Sequence, residues 1–217
     1  MVILPVRGAF VIALATLGVA PGAGSTRQSA PPVVQPGAPG QPSRELTPAE
    51  ATRLPRPGFT KADVAFMQGM IAHHAQAIEM TKLLDTRTKS PEMRKLAERI
   101  SVSQADEIKM MQRWLLDRGQ GVPGPPVVHM HDGMLMPGML TQEEMARLAA
   151  ASGPEFDKLF LEGMIKHHGG AVTMVRDLFA TPGAGQESDI FAFASDVDAD
   201  QRMEIARMAA MLKELEK

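Results

Sequence analysis

The stretch that decides the fold is MIAHHAQAIEM, Met70 to Met80, because it returns as MIKHHGGAVTM at Met164 to Met174. Each copy sets two adjacent histidines in an apolar, helix-forming run. Successive helical residues point about 100° apart, so Asp63, Met70, Ala77 and Leu84 fall near one line along the helix. His73 lies about 50° to one side of that line and His74 about 50° to the other. The second copy repeats this, with Asp157, Met164, Ala171 and Leu178 between His167 and His168. Alanine leaves room beside the rings.

The likeness extends past the motif. Asp63, Phe66, Met70, His73, His74, Ala77 and Met80 recur as Asp157, Phe160, Met164, His167, His168, Ala171 and Met174. Further on, Gln104, Glu107, Ile108 and Met111 recur as Gln201, Glu204, Ile205 and Met208. The offset grows by a few residues between the two sets, and a turn absorbs that at little cost.

Punctuation places the helices. Thr60 opens a run from Lys61 to about Asp85, and Ser90-Pro91-Glu92 opens a second, to about Arg118, ended by Gly119 and Gly121. Thr141, with Glu144 three residues on, opens a short helix. Ser152-Gly153-Pro154-Glu155 opens the third long run, to about Ala180, where Thr181-Pro182-Gly183 breaks it. The fourth covers roughly Asp189 to Leu215. Short turns within each pair and a long link between the pairs predict an all-α fold. The expected architecture is a four-helix bundle of two repeated helical hairpins, residues 59–118 and 154–217. Residues 119–153 form the Met/His-rich crossover connection with its short helix, and 59–217 make one domain.

The start of the chain differs in kind. Residues 1–25 have the pattern of a signal peptide: Arg7, then the apolar run Gly8 to Ala20, then small residues. That run is shorter than the about 20 residues a spanning helix needs. The expected location is therefore periplasmic or secreted, with an N-terminal membrane anchor as the alternative if the signal is not cleaved. Residues 26–58, rich in Pro, Gly, Ser and Gln, are expected to be a disordered linker with a short helix at Thr47-Pro48-Ala49-Glu50. No later segment is long and apolar enough to span a membrane in the mature form.

Composition narrows the chemistry. The 217 residues include no cysteine, which excludes disulfides, thiolate metal sites and cysteine nucleophiles. A net charge of −2 without a basic stripe argues against nucleic acid as a partner. Methionine occurs 17 times and histidine six. All six histidines lie in close pairs: His73/His74, His129/His131 and His167/His168. Burying four imidazoles in the repeated place requires partners for their nitrogens, since each unsatisfied one costs about 1–3 kcal/mol.

The candidate metal ligands are accordingly His73, His74, His167 and His168, with Met70 and Met164 adding sulfur. The connector VVHMHDGMLMPGM supplies His129, Met130, His131, Met134, Met136 and Met139 as a second, more exposed capture site. Gln104, Glu107, Gln201 and Glu204 lie on faces suited to support the histidines, and Asp63 and Asp157 are further supporting candidates. Simpler readings stand beside these. Met93 and Met145 read as core filler, Asp63 as a helix cap, and the glutamates as hydrogen-bond partners of the rings. Thioethers suit Cu(I) and imidazoles suit Cu(II). Zinc would call for more carboxylate or thiolate, and calcium or magnesium for oxygen. A copper ion, Cu(I) or Cu(II) or both, is the expected metal, with silver similar in softness.

The pairing of FMQGMIAHHAQAIEM with FLEGMIKHHGGAVTM, each followed by a Q-x-x-E-I helix, resembles the bacterial DUF305 family. MPGML at Met136 to Leu140 resembles its pattern too, and the resemblance covers roughly Lys61 to Leu215. It implies a ferritin-like four-helix bundle outside the cytoplasm, in a family some of whose members are exported copper-binding proteins. Carried onto matching positions, the implied copper-binding residues are Met70, His73, His74, Met80, Met164, His167, His168 and Met174.

Ferritin-like folds also host di-iron and di-manganese oxidases, which use inward glutamates and Glu-x-x-His pairs. Here Met70 and Met164 stand three residues before His73 and His167, so an enzyme is not expected. The expected function is sequestration or transfer of copper through His/Met sites, with the metal ion, and a protein that exchanges it, as partners. A structural or partner-binding extracytoplasmic bundle is the alternative.

Overall fold

A computed structural model describes residues 33–35, 42–54, 56–124, 130–131 and 134–215, with backbone alone at Gln35, Met130, His131 and Met134. The expected signal peptide and His129 lie outside the described residues. The chain divides into two compact units, one ending at Leu54 and one beginning at Pro55.

In the first unit, β1 (Val33–Gln35) and β2 (Arg44–Leu46) pair antiparallel, Val33 opposite Leu46, and α1 (Pro48–Ala51) follows. The expectation of an unstructured linker from residue 26 does not hold for these segments. Val33-Val34-Gln35 is a short β-branched run of the kind that favours a strand. At Thr47 the capping box forms as the sequence indicates, the hydroxyl accepting from Glu50 N–H and the Glu50 carboxylate accepting from Thr47 N–H.

The second unit is all-α in its body. The long helices are α2 (Lys61–Lys82), α4 (Pro91–Asp117), α6 (Gly153–Ala180) and α7 (Ser188–Leu215); α3 (Leu84–Arg87) is a single turn and α5 (Gln142–Ala150) is short. The first run was expected to continue to Asp85. It stops at Lys82, and the cap residue Leu83 stays in a right-handed helical conformation and carries the chain into α3. Thr60, Ser90 and Thr141 cap their helices through side-chain oxygens, whereas Ser152 makes no such bond. Inside the connection, β3 (Met130–His131) pairs with β4 (Met134–Leu135).

Packing follows the repeat. α2 packs on α4, α6 packs on α7, and the two hairpins meet along α2 and α6. Apolar side chains form two clusters. One holds Phe66, Met70, Met111, Trp114 and Phe193; the other holds Met80, Leu96, Phe156, Phe160, Met164 and Met208. Burying a Leu- or Phe-sized side chain contributes about 1.5–3 kcal/mol, so these clusters carry most of the stabilisation that closes the bundle. Between them the core turns polar.

The end of the connection is seated tightly on the bundle. Gly138 has φ 75°, and a side chain there would lie 2.4 Å from the Lys166 carbonyl oxygen. A Cβ on Gly170 would lie 1.9 Å from the Pro137 carbonyl oxygen. Glycine at both places lets loop backbone touch helix backbone. On the other side Gln76 clamps the same loop: its Nε2 donates to Leu140 O at 2.9 Å and its Oε1 accepts from Leu140 N–H at 2.8 Å.

Candidate metal centre

His73, His74, His167 and His168 are all completely buried. The helix wheel splits each pair to either side of an inward line, and the structure does the same. His73 and His167 face each other across the α2/α6 contact, ring centroids 3.8 Å apart and planes inclined by 39°. His74 lies 6.4 Å from His73, and His168 lies 6.2 Å from His167. The imidazoles thus form a row, His74–His73–His167–His168, across the bundle.

Each ring is oriented through Nε2. His73 Nε2 reaches the Pro137 carbonyl at 3.0 Å, and His167 Nε2 reaches the His73 carbonyl at 3.0 Å. A carbonyl oxygen only accepts, so in both rings Nε2 carries the hydrogen. The outer rings meet carboxylates instead: His74 Nε2 lies 2.5 Å from Glu107 Oε2, and His168 Nε2 lies 2.7 Å from Glu204 Oε2. Nδ1 of His74, His167 and His168 is buried and meets no hydrogen-bond partner among the described residues. Burial, and then the neighbouring His73, His168 and His74, holds His167 well below its usual pKa of 6.5, so the ring is neutral at pH 7. A neutral ring whose Nε2–H is engaged offers its lone pair at Nδ1.

The carboxylates are themselves supported, differently in each half. Glu107 Oε1 accepts from the Ser103 hydroxyl at 3.1 Å, and Glu204 Oε1 accepts from Arg99 Nε at 3.3 Å. Burial pushes the Glu204 carboxyl up, but the hydrogen bonds and charge of His168 and Arg99 bring it to a net position below the usual range. Ser103 and Arg99 were not singled out from sequence. Their only signal is a position on the α4 face that also carries Gln104 and Glu107.

The other candidates separate into three groups. Met70 and Met164 are fully buried, as are Met111 and Met208, and Met70/Met111 and Met164/Met208 occupy matching clusters. Asp63 is a structural carboxylate: Oδ2 accepts from Thr60 N–H at 2.6 Å and Oδ1 from Gly185 N–H at 2.7 Å. Asp157 is buried at the matching place, with Oδ1 lacking a hydrogen-bond partner.

Met80 and Met174 pack over glycines of the opposite hairpin. Cβ positions on Gly163 and Gly69 would lie 3.3 Å from Met80 Cε and 3.5 Å from Met174 Cε. Met136 joins Met174 over Gly69, beside an apolar groove of about 390 Å³ lined by Phe66, Leu135 and Leu178. Met136 and Met139 are 7% and 1% exposed, which corrects the expectation of an exposed capture loop for these two sulfurs. The glycine contacts at Gly138 and Gly170 and the Gln76 clamp draw this end of the connection into the core.

A polar cleft of about 300 Å³ separates α4 from α7 behind the outer histidines, lined by Arg99, Ser103, Gln104, Glu107, Asp200, Gln201, Met203, Glu204 and Arg207. Gln104 and Gln201 are 1% and 3% exposed. Neither polar atom of the Gln104 amide, nor Gln201 Oε1, finds a partner among the described residues. Burial, together with Glu107, Asp196 and Glu204, raises the Asp200 carboxyl above its usual pKa. Among the described residues, no three His, Asp or Glu side chains converge as a ready-made metal cage. The donors that do come together are the four imidazoles.

This arrangement is a His/Met-lined helical bundle, and the comparisons agree with it. Residues 63–212 match the family model described as Domain of unknown function (DUF305), and the chain belongs to that family. A DUF305 fragment from Deinococcus radiodurans is 30% identical, with TM-score 0.64 over 73% of this chain and 99% of that one. A DUF305 protein from Streptomyces coelicolor, provisionally named as secreted, is 33% identical, with TM-score 0.60 over 71% of this chain and 93% of that one. CopM, solved in a Cu(II)-bound form, is 30% identical with TM-score 0.58 over 70% of this chain and 96% of that one, and Cu(I)- and silver-bound forms of it are similar too. The uncharacterized protein L153 of Acanthamoeba polyphaga mimivirus is 43% identical over 56 residues, so the match spans 37% of that protein's length and 26% of this chain. No helix among the described residues is long and apolar enough to cross a membrane.

Proposed function

We propose that this protein is an extracytoplasmic copper-binding bundle that holds Cu(I), and silver by the same chemistry, and passes it on without catalysing a reaction. One observation carries the reading: the four buried imidazoles are each fixed through Nε2, which directs Nδ1 as the metal-binding nitrogen. Histidines that bind metals commonly donate their other ring N–H to a carbonyl or carboxylate, the arrangement seen at all four rings.

In this reading His73, His74, His167 and His168 are the nitrogen ligands. Met70 and Met164, with Met111 and Met208 beside them, supply the soft donors that favour Cu(I). Glu107 and Glu204 orient the outer rings. Met80, Met174, Met136 and Met139 form a sulfur-rich surround at the seat of the connection, and His129, Met130, His131 and Met134 are the residues that first collect the ion. The copper- and silver-bound forms of CopM and the export-like start of the chain support the choice of metal and compartment.

The test is binding and melting of the purified protein with Cu(I) under a competing chelator, and with Ag⁺. An ion held at 100 times its Kd stabilises the fold by about 2.7 kcal/mol, which raises the melting temperature by roughly 5–10 °C for a domain of this size. His73→Ala with His167→Ala abolishes that rise. A wild-type melting curve that neither ion moves overturns the proposal.

A further inference from the structure

We infer that the cleft between α4 and α7 is a second cation site, one that takes a hydrated hard divalent ion of the Mg²⁺ class through oxygen donors. The inference does not depend on copper occupying the histidine row. It starts from two glutamines, Gln104 and Gln201, which occupy the repeated place on α4 and α7 and both line the cleft. They are 99% and 97% withdrawn from solvent, yet Gln104 Oε1, Gln104 Nε2 and Gln201 Oε1 meet no partner among the described residues. Buried amides left that way are costly, and two of them related by the repeat point at a polar occupant shared between the helices.

The walls give the occupant its sign. Glu107 and Glu204 enter from either side and Asp200 stands at the rim. Two cations, Arg99 and Arg207, line the same cleft, and Arg99 is tied to Glu204 at 3.3 Å. Three carboxylates face two guanidinium groups, so the cleft lining carries an excess of one acidic side chain.

Size and spacing then select the form of the ion. Among the described residues the three carboxylates do not converge as one cage for a bare ion. The volume of about 300 Å³ corresponds to roughly ten water molecules at about 30 Å³ each, enough for an ion with its first hydration shell. Mg²⁺-type ions dehydrate reluctantly and keep several waters, so carboxylates and amide oxygens bind them through that shell. The Gln104 N–H donors are satisfied in the same arrangement, by donating to shell oxygens. Met203 also lines the cleft, but it is 64% exposed and oxygen donors suffice, which separates this cleft chemically from the imidazoles behind it.

Mn²⁺, a paramagnetic member of the same class, is the probe. Titrated into the metal-free full-length chain, it should broaden amide resonances around Gln104 and Gln201 saturably, and excess Mg²⁺ should reverse the effect. Asp200→Asn, an exposed change, should weaken Mn²⁺ binding on the order of tenfold. Gln104→Leu should weaken it too while raising the melting temperature of the metal-free protein, an outcome opposite to loss of a structural residue. Silver binding at the histidine row should be unchanged in Asp200→Asn, so failure of one site is distinguished from failure of the other. Broadening that does not saturate, that spreads over surface carboxylates such as Asp106 and Asp198, or that survives both substitutions overturns the inference.

Discussion

The two hairpins carry the same motif, yet the crossover connection treats them differently. Two residues after the histidine pair the first hairpin has Gln76 and the second has Gly170. Gln76 reaches out and fastens Leu140 by two hydrogen bonds. Gly170 withdraws, so that the Pro137–Gly138 backbone can lie directly on α6. The inner histidines differ in the same sense: His73 hangs on the Pro137 carbonyl, whereas His167 hangs on the carbonyl of His73. A duplicated scaffold with one connection between its halves cannot stay symmetric, because a single loop has to be both clamped and seated.

That contrast can be broken most severely at the seat. Gly170→Ala places a methyl against the Pro137 carbonyl, an obstacle made of backbone rather than a flexible side-chain end. Overpacking of this kind costs about 3 kcal/mol or more, which lowers the melting temperature by roughly 6–12 °C. The adjacent Gly169 is the control. It has nothing within 4 Å of its Cβ position, so Gly169→Ala should stabilise by about 0.5–1 kcal/mol through helix propensity. Equal effects at the two glycines, read by thermal denaturation, would remove the basis for calling Gly170 a seat.

The clamp ranks next. Gln76→Leu keeps volume but strands the buried N–H and C=O of Leu140, at a cost of about 1–3 kcal/mol for each group left unpaired. Amide exchange at Leu140 should quicken, while exchange in α7, far along the chain, stays slow. Uniform quickening would mean the clamp holds the whole bundle rather than the loop.

The smallest of these effects is graded by pH and sharpens the contrast between inner and outer rings. His167 has a folded pKa below its unfolded value, so between the two the unfolded chain binds the extra proton and the folded chain does not. Its contribution is complete above pH 6.5 and is lost as pH falls from there toward the depressed folded value. The slope from this one group is at most about 1.4 kcal/mol per pH unit. Denaturant melts of metal-free protein should show that decline, and His167→Gln should flatten it. A slope unchanged by the substitution would place the titration elsewhere.

Much of this was legible because it is written locally. Thr60, Ser90 and Thr141 announce their helices through capping chemistry that involves only three or four residues. The histidine pairs were legible because helical periodicity fixes where neighbouring side chains point. Periodicity does not fix how far α2 and α6 rotate toward each other, so the 3.8 Å meeting of His73 with His167 could not be read in advance. Nor could the burial of Met136 and Met139, which depends on Gly138 and Gly170 lying far apart in sequence and touching in space. Asp63 shows both limits in one residue: its bond to Thr60 is local and was anticipated, while its bond to Gly185 is not and was not.

The difference between Gln76 and Gly170 also bears on how such a chain can change. A protein assembled from two first hairpins would meet the connection with two clamps and nowhere to set it down. Two second hairpins would offer two resting places and no fastening. The repeats are thus committed to being unlike at this one position, however closely they match elsewhere, and a gene conversion that made them identical would erase the lock that holds the His73 ring in register.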